Sequence, residues 1–265
     1  MIVITELKYS NTNTYLIEGD SGTILFDTGW AGTFPAFCDA LGENKKSLQN
    51  IDYILISHFH PDHMGIAQEI SDCGPSIVIA DVQKDFVHSS DGIFARDSRL
   101  KFVPVDDDKL KVISIEDSRA FLKSIGINGE LIHTPGHSDD SISLWLDDGF
   151  LFVGDLNPLY ELELHKGTQI EESWNKLLSL KPDKIYYGHA KTAVLAEAKS
   201  VSDNSDLYRL VSQIIKCIDK GFSLDKIQKK TGADPEFIED VNRMYLTHQN
   251  VGVQGILDRI EIKNK

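Results

Sequence analysis

At 265 residues and a formal net charge of -14, the chain has room for one large α/β domain with a small appendage, and its acidity works against binding a phosphate backbone. Its 41% hydrophobic and 26% charged residues match ordinary globular composition. No apolar run approaches the roughly 20 residues of a bilayer-spanning helix, so no membrane span is expected. The charge is uneven: from Asp206 onward ten Lys/Arg meet nine Asp/Glu, so the whole of the net negative charge precedes that point and nucleic-acid partners are disfavoured.

The first twenty residues hold no basic stretch followed by an apolar run and a small-residue cleavage site, and they read as a first strand rather than a leader. Cys38, Cys73 and Cys217 are odd in number and lack CxxC spacing, which excludes a thiolate metal site and fits a reducing, cytoplasmic setting. Short apolar or β-branched runs then recur: NTYLIEGD, GTILFDTG, IDYILISH, SIVIAD, GELIHTPGH, SISLWLDD, GFLFVGD and DKIYYGH. Each reads as a strand. Helical spacing lies between them over Thr33–Leu41, Met64–Ile70, Ser118–Ile125 and Ile170–Leu180. Strands interleaved with helices predict a layered α/β domain over residues 1–200. After a polar, small-residue stretch around Ser200, helical patterns over LYRLVSQIIKCIDK, SLDKIQKKTG and DPEFIEDVNRMYLTHQ mark residues 201–265 as a C-terminal helical extension.

Four apolar runs end at metal-binding residue types: ILISHFHPDH at His58, His60, Asp62 and His63, ELIHTPGH at His137, FLFVGD at Asp155, and KIYYGH at His189. Ligands gather beyond the carboxyl ends of strands in open α/β sheets, so these termini are expected to converge. In HxHxDH, alternate residues of an extended chain point the same way, so His58 and His60 face one metal while Asp62 and His63, past Pro61, face another. Pro61 is expected to keep the loop extended until a helix begins near Met64. Imidazole and carboxylate ligands suit two divalent ions, zinc first, with iron or manganese as alternatives. A water shared by two cations loses its proton near neutral pH and becomes a nucleophile.

The ordered set SHFHPDHMG, TPGHS, FVGD and YGH, with the earlier ILFDTG turn, resembles the metallo-β-lactamase superfamily, and especially its glyoxalase II and lactonase-like branch, over residues 1 to 195. The resemblance implies a four-layer αββα sandwich with the metals at one edge between two sheets. It implies His58, His60 and His137 on one metal, Asp62, His63 and His189 on the second, and Asp155 bridging them. Asp27 would support the ligand loops from behind, and Asp62 would orient the attacking hydroxide.

Other residues carry weaker signals. Asp139 and Asp140 read as turn or strand caps, His133 as a packing residue, and His88, His165 and His248 have no motif around them. Tyr186 and Tyr187 read as alternating between the two faces of a strand, with Tyr187, Trp30 and Tyr160 as candidates for substrate contact. Substrate choice should lie in Trp30–Phe37, Ser89–Lys101, Asn157–Gln169 and the C-terminal helices. The apolar character of the first and third of these favours a small thioester, lactone or related ester. The alternatives are a small-molecule phosphodiesterase of the same fold, and a regulator whose tail, with a Gly between two helical patterns, has helix-turn-helix rhythm but no basic footprint. The same tail is a candidate homodimerisation surface.

Overall fold

Two β-sheets lie face to face in the computed structural model, which describes residues 2–97, 99–195, 206–247 and 252–263. The first sheet takes β1 (Val3–Leu7), β2 (Thr14–Glu18), β3 (Thr23–Phe26), β4 (Tyr53–Leu55), β5 (Ser76–Ala80) and β6 (Lys111–Ile113) in sequence order. Its first three strands pair antiparallel and β3 to β6 pair parallel. The second sheet runs β11 (Ala193–Val194), β10 (Lys184–Tyr186), β9 (Phe150–Phe152), β8 (Ile142–Leu146), β7 (Gly129–His133).

Side-chain alternation explains the layering. Tyr15, Ile17, Ile24 and Phe26 point inward and meet Leu131, Leu144, Phe152 and Tyr186 of the second sheet. The residues between them, Leu16 and Leu25, point outward into a second cluster with Phe37, Leu41 and Ile70, as a period of two requires. Those outer partners come from α1 (Phe34–Glu43) and from α3 (Ala67–Ser71), which follows the one-turn α2 (Pro61–Met64). A further turn, α4 (Asp91–Phe94), precedes α5 (Ser118–Ser124), whose Phe121 and Leu122 join the inter-sheet core. On the far side, α6 (Gln169–Leu178) sets Ile170, Trp174 and Leu177 against Ile132, Leu151 and Ile185 of the second sheet. Four layers result, helix on sheet on sheet on helix, the αββα sandwich that the motifs imply.

The C-terminal helices α7 (Asp206–Asp219), α8 (Leu224–Thr231), α9 (Pro235–Thr247) and α10 (Val253–Lys263) bury an apolar core of their own around Val211, Ile214, Ile227, Val241 and Ile256. Gly232, in the left-handed conformation at φ 70°, makes the turn between α8 and α9. The linker expected around Ser200, and His248, lie outside the described residues. No described helix is long and apolar enough to cross a membrane.

Several elements differ from the sequence expectation. The expected Met64–Ile70 helix is two short ones broken at Gly65–Ile66. Pro61 starts a helix rather than prolonging an extended loop: His60 is extended at φ -75°, ψ 153°, and Pro61, at the first helical position, has no N–H to leave unsatisfied. Asp62 and His63 therefore sit in a helical turn. Strands β6 and β11 give no clear apolar run, because one is largely exposed and the other has two residues. The helical patterns of the C-terminal extension stop short of α10, which the structure adds to them.

Candidate metal centre

Strand direction brings the chemistry to one edge. β3 and β4 are parallel, so Asp27 and Ser57–His58 leave the first sheet at the same end. In the second sheet β9 and β10 are parallel, and β7 shares their direction because it and β9 each pair antiparallel with β8. The turns carrying His137, Asp155 and His189 thus emerge together, three or four residues beyond their strands.

There the seven motif residues converge. Three overlapping groups, His58/His60/His137, His58/His63/Asp155 and Asp62/His63/His189, each hold their ligand atoms within 4.8 Å of one another. The rings of His58 and His63 have centroids 4.2 Å apart, and those of His58 and His60 4.4 Å. His189 Nε2 lies 2.9 Å from Asp62 Oδ2. His58 Nε2, His63 Nε2 and Asp155 Oδ1 are buried without a hydrogen-bond partner. Buried polar atoms are normally satisfied, so orphaned nitrogens and a carboxylate oxygen aimed at one point fit a cation there.

The opposite ring nitrogens are held from behind. His63 Nδ1 is 2.9 Å from Asp27 Oδ2, His58 Nδ1 is 3.0 Å from Ser57 Oγ, and His189 Nδ1 is 2.8 Å from the Asn11 carbonyl. Asp27 sits at φ 62°, a left-handed conformation that Asp tolerates better than most residues. From there it accepts Ser57 N at 2.7 Å and Ser57 Oγ at 2.9 Å, coupling the end of β3 to the start of the ligand loop. Gly188 is required by space: a Cβ would stand 2.7 Å from Asp155 Oδ1 and 2.9 Å from His63 Cε1.

Burial and mutual repulsion sort the ionisable groups. Burial drives His58 well below the usual imidazole range, with His63 and His137 adding to it, and pushes His137 down to about 4. For His63 and His189 burial also favours the neutral ring, but the surrounding carboxylates outweigh it and raise both. Asp62 and Asp155 are held below the ordinary carboxylate range, because the nearby imidazoles overcome the cost of burying charge. Both carboxylates stay ionised, as metal ligands must.

The remaining candidates scatter. Tyr186 stacks on Phe152 in the inter-sheet core with centroids 4.6 Å apart, while Tyr187 faces the outer cluster near Trp174, so the two do alternate. Tyr187 nevertheless lines a recess with Asp155 and His189. Trp30 packs edge-on against Phe94, and Tyr160 lies on the surface. His133 bonds the Asp139 carbonyl at 2.8 Å, His88 lies between Asp91 and Asp107, and His165 is buried. Asp140 is more than a local cap: its Oδ2 accepts Phe59 N at 2.7 Å, pinning the HxHxDH loop to the loop after His137. Gln83 carries no motif signal, yet its buried amide donates to the Ile56 carbonyl at 2.9 Å and the Asp140 carbonyl at 3.2 Å.

The model of the metallo-β-lactamase superfamily matches residues 8–189, which span all seven of these side chains. The chain belongs to the metallo-β-lactamase superfamily. Members of this superfamily are mostly hydrolases. A β-lactamase-like protein 2 homolog of Drosophila melanogaster is 31% identical over 191 residues, covering 69% of this chain. The chain spans only 60% of that relative's length. Among solved structures, a metallo-β-lactamase family protein of Thermus thermophilus superposes with a TM-score of 0.56 at 17% identity, covering 99% of this chain and 93% of its own. A protein solved in a di-iron-bound form gives a TM-score of 0.55 at 22% identity, over 74% of this chain and 97% of its own. Both are likenesses of fold, and the first takes in the C-terminal helices as well as the superfamily sandwich.

Proposed function

We propose that this chain is a dinuclear metal-dependent hydrolase that cleaves a small thioester, lactone or related ester. One observation carries the proposal: a single carboxylate stands between two imidazole-rich triads. Asp155 Oδ1 is 3.3 Å from His63 Nε2 and 3.5 Å from His189 Nε2, and Asp155 Oδ2 is 3.5 Å from His137 Nε2. This supports His58, His60 and His137 as ligands of one ion, Asp62, His63 and His189 as ligands of the other, and Asp155 as the ligand shared by both. Nitrogen and oxygen donors without thiolate fit zinc, iron or manganese. We assign zinc first, and the di-iron form of the fold neighbour keeps iron in the test.

Two bound cations would supply Lewis acidity, polarising an acyl carbonyl and acidifying a water. The protein's own part is orientation. Asp62 is the more open of the two carboxylates, its side chain 22% exposed against 8% for Asp155. Kept ionised by His63 and His189, it acts as the acceptor that orients the attacking water. Leu156, Pro158 and Tyr187 put apolar side chains beside Asp155 and His189 in the adjoining recess.

The test is elemental analysis of protein purified without chelator, followed by assays against thioester, lactone and bis-aryl phosphodiester panels. We expect about two metal equivalents, as for a two-metal site, with acyl-substrate turnover abolished by His60→Ala. Metal-free protein, or turnover confined to phosphodiesters, would overturn the proposal.

A further inference from the structure

The recess beside the candidate metal centre is walled mainly by the ligand loops, but one of its walls comes from the far end of the chain. Asp155, Pro158, Tyr187 and His189 line it together with Arg259, the seventh residue of α10. Arg259 is incompletely satisfied there. Its Nε is buried and has no hydrogen-bond partner, and its Nη1 donates to the Gly255 carbonyl of its own helix at 3.1 Å. Among the described residues no carboxylate forms an ion pair with it. An arginine cannot discard its charge, so a shielded guanidinium N–H without an acceptor costs free energy until one arrives.

The chain fixes this residue in place by a specific contact. Gly252 N, at the start of α10, donates to Glu161 Oε1 at 2.8 Å, and Glu161 Oε2 accepts from Asn157 Nδ2 at 3.1 Å. Glu161 is 1% exposed. One buried carboxylate thus fastens the beginning of α10 to the segment that follows Asp155, and a negative charge at a helix start is favourable in its own right. The result is a cation held at the edge of the metal centre by an element with no ligand of its own.

We propose that Arg259 is a specificity-determining residue that pairs with an anionic group, a carboxylate or a phosphate, carried by the substrate close to the bond that is cleaved. The proposal rests on the hydrolase reading and adds its substrate class: an anionic acyl compound rather than a neutral lactone. A planar guanidinium suits both anions through paired N–H donors. A cation at this mouth also offsets the repulsion that the acidic first part of the chain would impose on such a substrate.

Two measurements decide it on the whole 265-residue chain loaded with metal. Calorimetric titration with glutarate and with inorganic phosphate at fixed ionic strength compares wild type, Arg259→Met and Arg259→Lys. Steady-state kinetics compare matched thioester pairs: succinyl against butyryl on one leaving thiol, and one acyl group on pantetheine 4′-phosphate against pantetheine. We expect Arg259→Met to weaken one or both probes, and to raise KM for the charged member of one pair, by about ten-fold or more, as for a lost charge-assisted hydrogen bond. Arg259→Lys should fall between, and kcat for the neutral members and the metal content should not change. The pair that responds tells whether the anion sits on the acyl part or on the leaving group. Glu161→Gln, a positioning variant, should raise the same KM to a smaller extent. Equal effects on charged and neutral substrates, together with unaltered probe affinity, would overturn the proposal. If wild type cleaves none of the four thioesters, the hydrolase reading fails for this class, and the titrations alone decide Arg259.

Discussion

Asp27 touches no candidate metal position, yet three contacts make it the anchor of the ligand loop: His63 Nδ1, Ser57 N and Ser57 Oγ. Carboxylates behind ligating imidazoles fix the tautomer and raise ligand basicity, and their loss typically weakens metal binding by roughly 10- to 100-fold. Asp27→Asn is expected to behave so in chelator competition, with an unchanged far-ultraviolet dichroism spectrum. Gly188 is constrained for a different reason. Gly188→Ala would bring a methyl to 2.7 Å from Asp155 Oδ1, so we expect loss of at least one bound metal by elemental analysis, while the sandwich still folds. Asp27 was legible in the sequence as a turn aspartate. The need for Gly188 was not, because the atoms its Cβ would meet belong to other loops.

At the scale of elements, periodicity carried most of the information. Apolar alternation marks the inner and outer faces of β2 and β3, and i, i+4, i+7 spacing puts Ile170, Trp174 and Leu177 on one side of α6. Trp174 is wholly buried against the second sheet, its Nε1 donating to the Asn157 carbonyl at 2.8 Å. Trp174→Ala is therefore expected to cost about 3–5 kcal/mol in urea unfolding, the usual range for emptying a large aromatic site. Gln83 joins elements that share no sequence signal. Gln83→Leu would strand the carbonyls of Ile56 and Asp140, and we expect about 1–3 kcal/mol of destabilisation in the same assay. The one-turn helix at Pro61 shows why loop conformation escapes a sequence reading: proline is compatible with an extended segment and with the first position of a helix, and tertiary contacts choose between them. Thr12 Oγ1 to the Asp62 carbonyl at 2.7 Å and Thr28 Oγ1 to the His63 carbonyl at 3.0 Å hold the turn in place.

For the whole molecule, the candidate centre is a stability element as well as a chemical one. Its ligands come from both sheets, so an ion bound there ties the two halves of the sandwich together, and binding free energy adds to folding free energy. Chelator-treated protein is expected to melt at a lower temperature than the metal-loaded form in scanning calorimetry. At a free metal concentration about 100 times Kd the gain should be about 2.7 kcal/mol per ion. Equal melting temperatures with and without metal would argue against a bound ion in this position.

The identity of the seven clustered residues, the layered α/β class and the helical tail could all be read from the amino-acid sequence, because each depends on local chemistry: an apolar strand, a turn and a ligand type side by side. What only the tertiary structure decided is everything that joins distant segments. Asp140 to Phe59 spans 81 positions, and Glu161 to Gly252 spans 91. Arg259 reaches the recess beside Asp155 and His189 only because α10 folds back onto the segment after β9. Local spacing encodes which face of a strand or helix a side chain occupies, whereas the meeting of two loops depends on how the whole core packs, and no window of sequence contains that information.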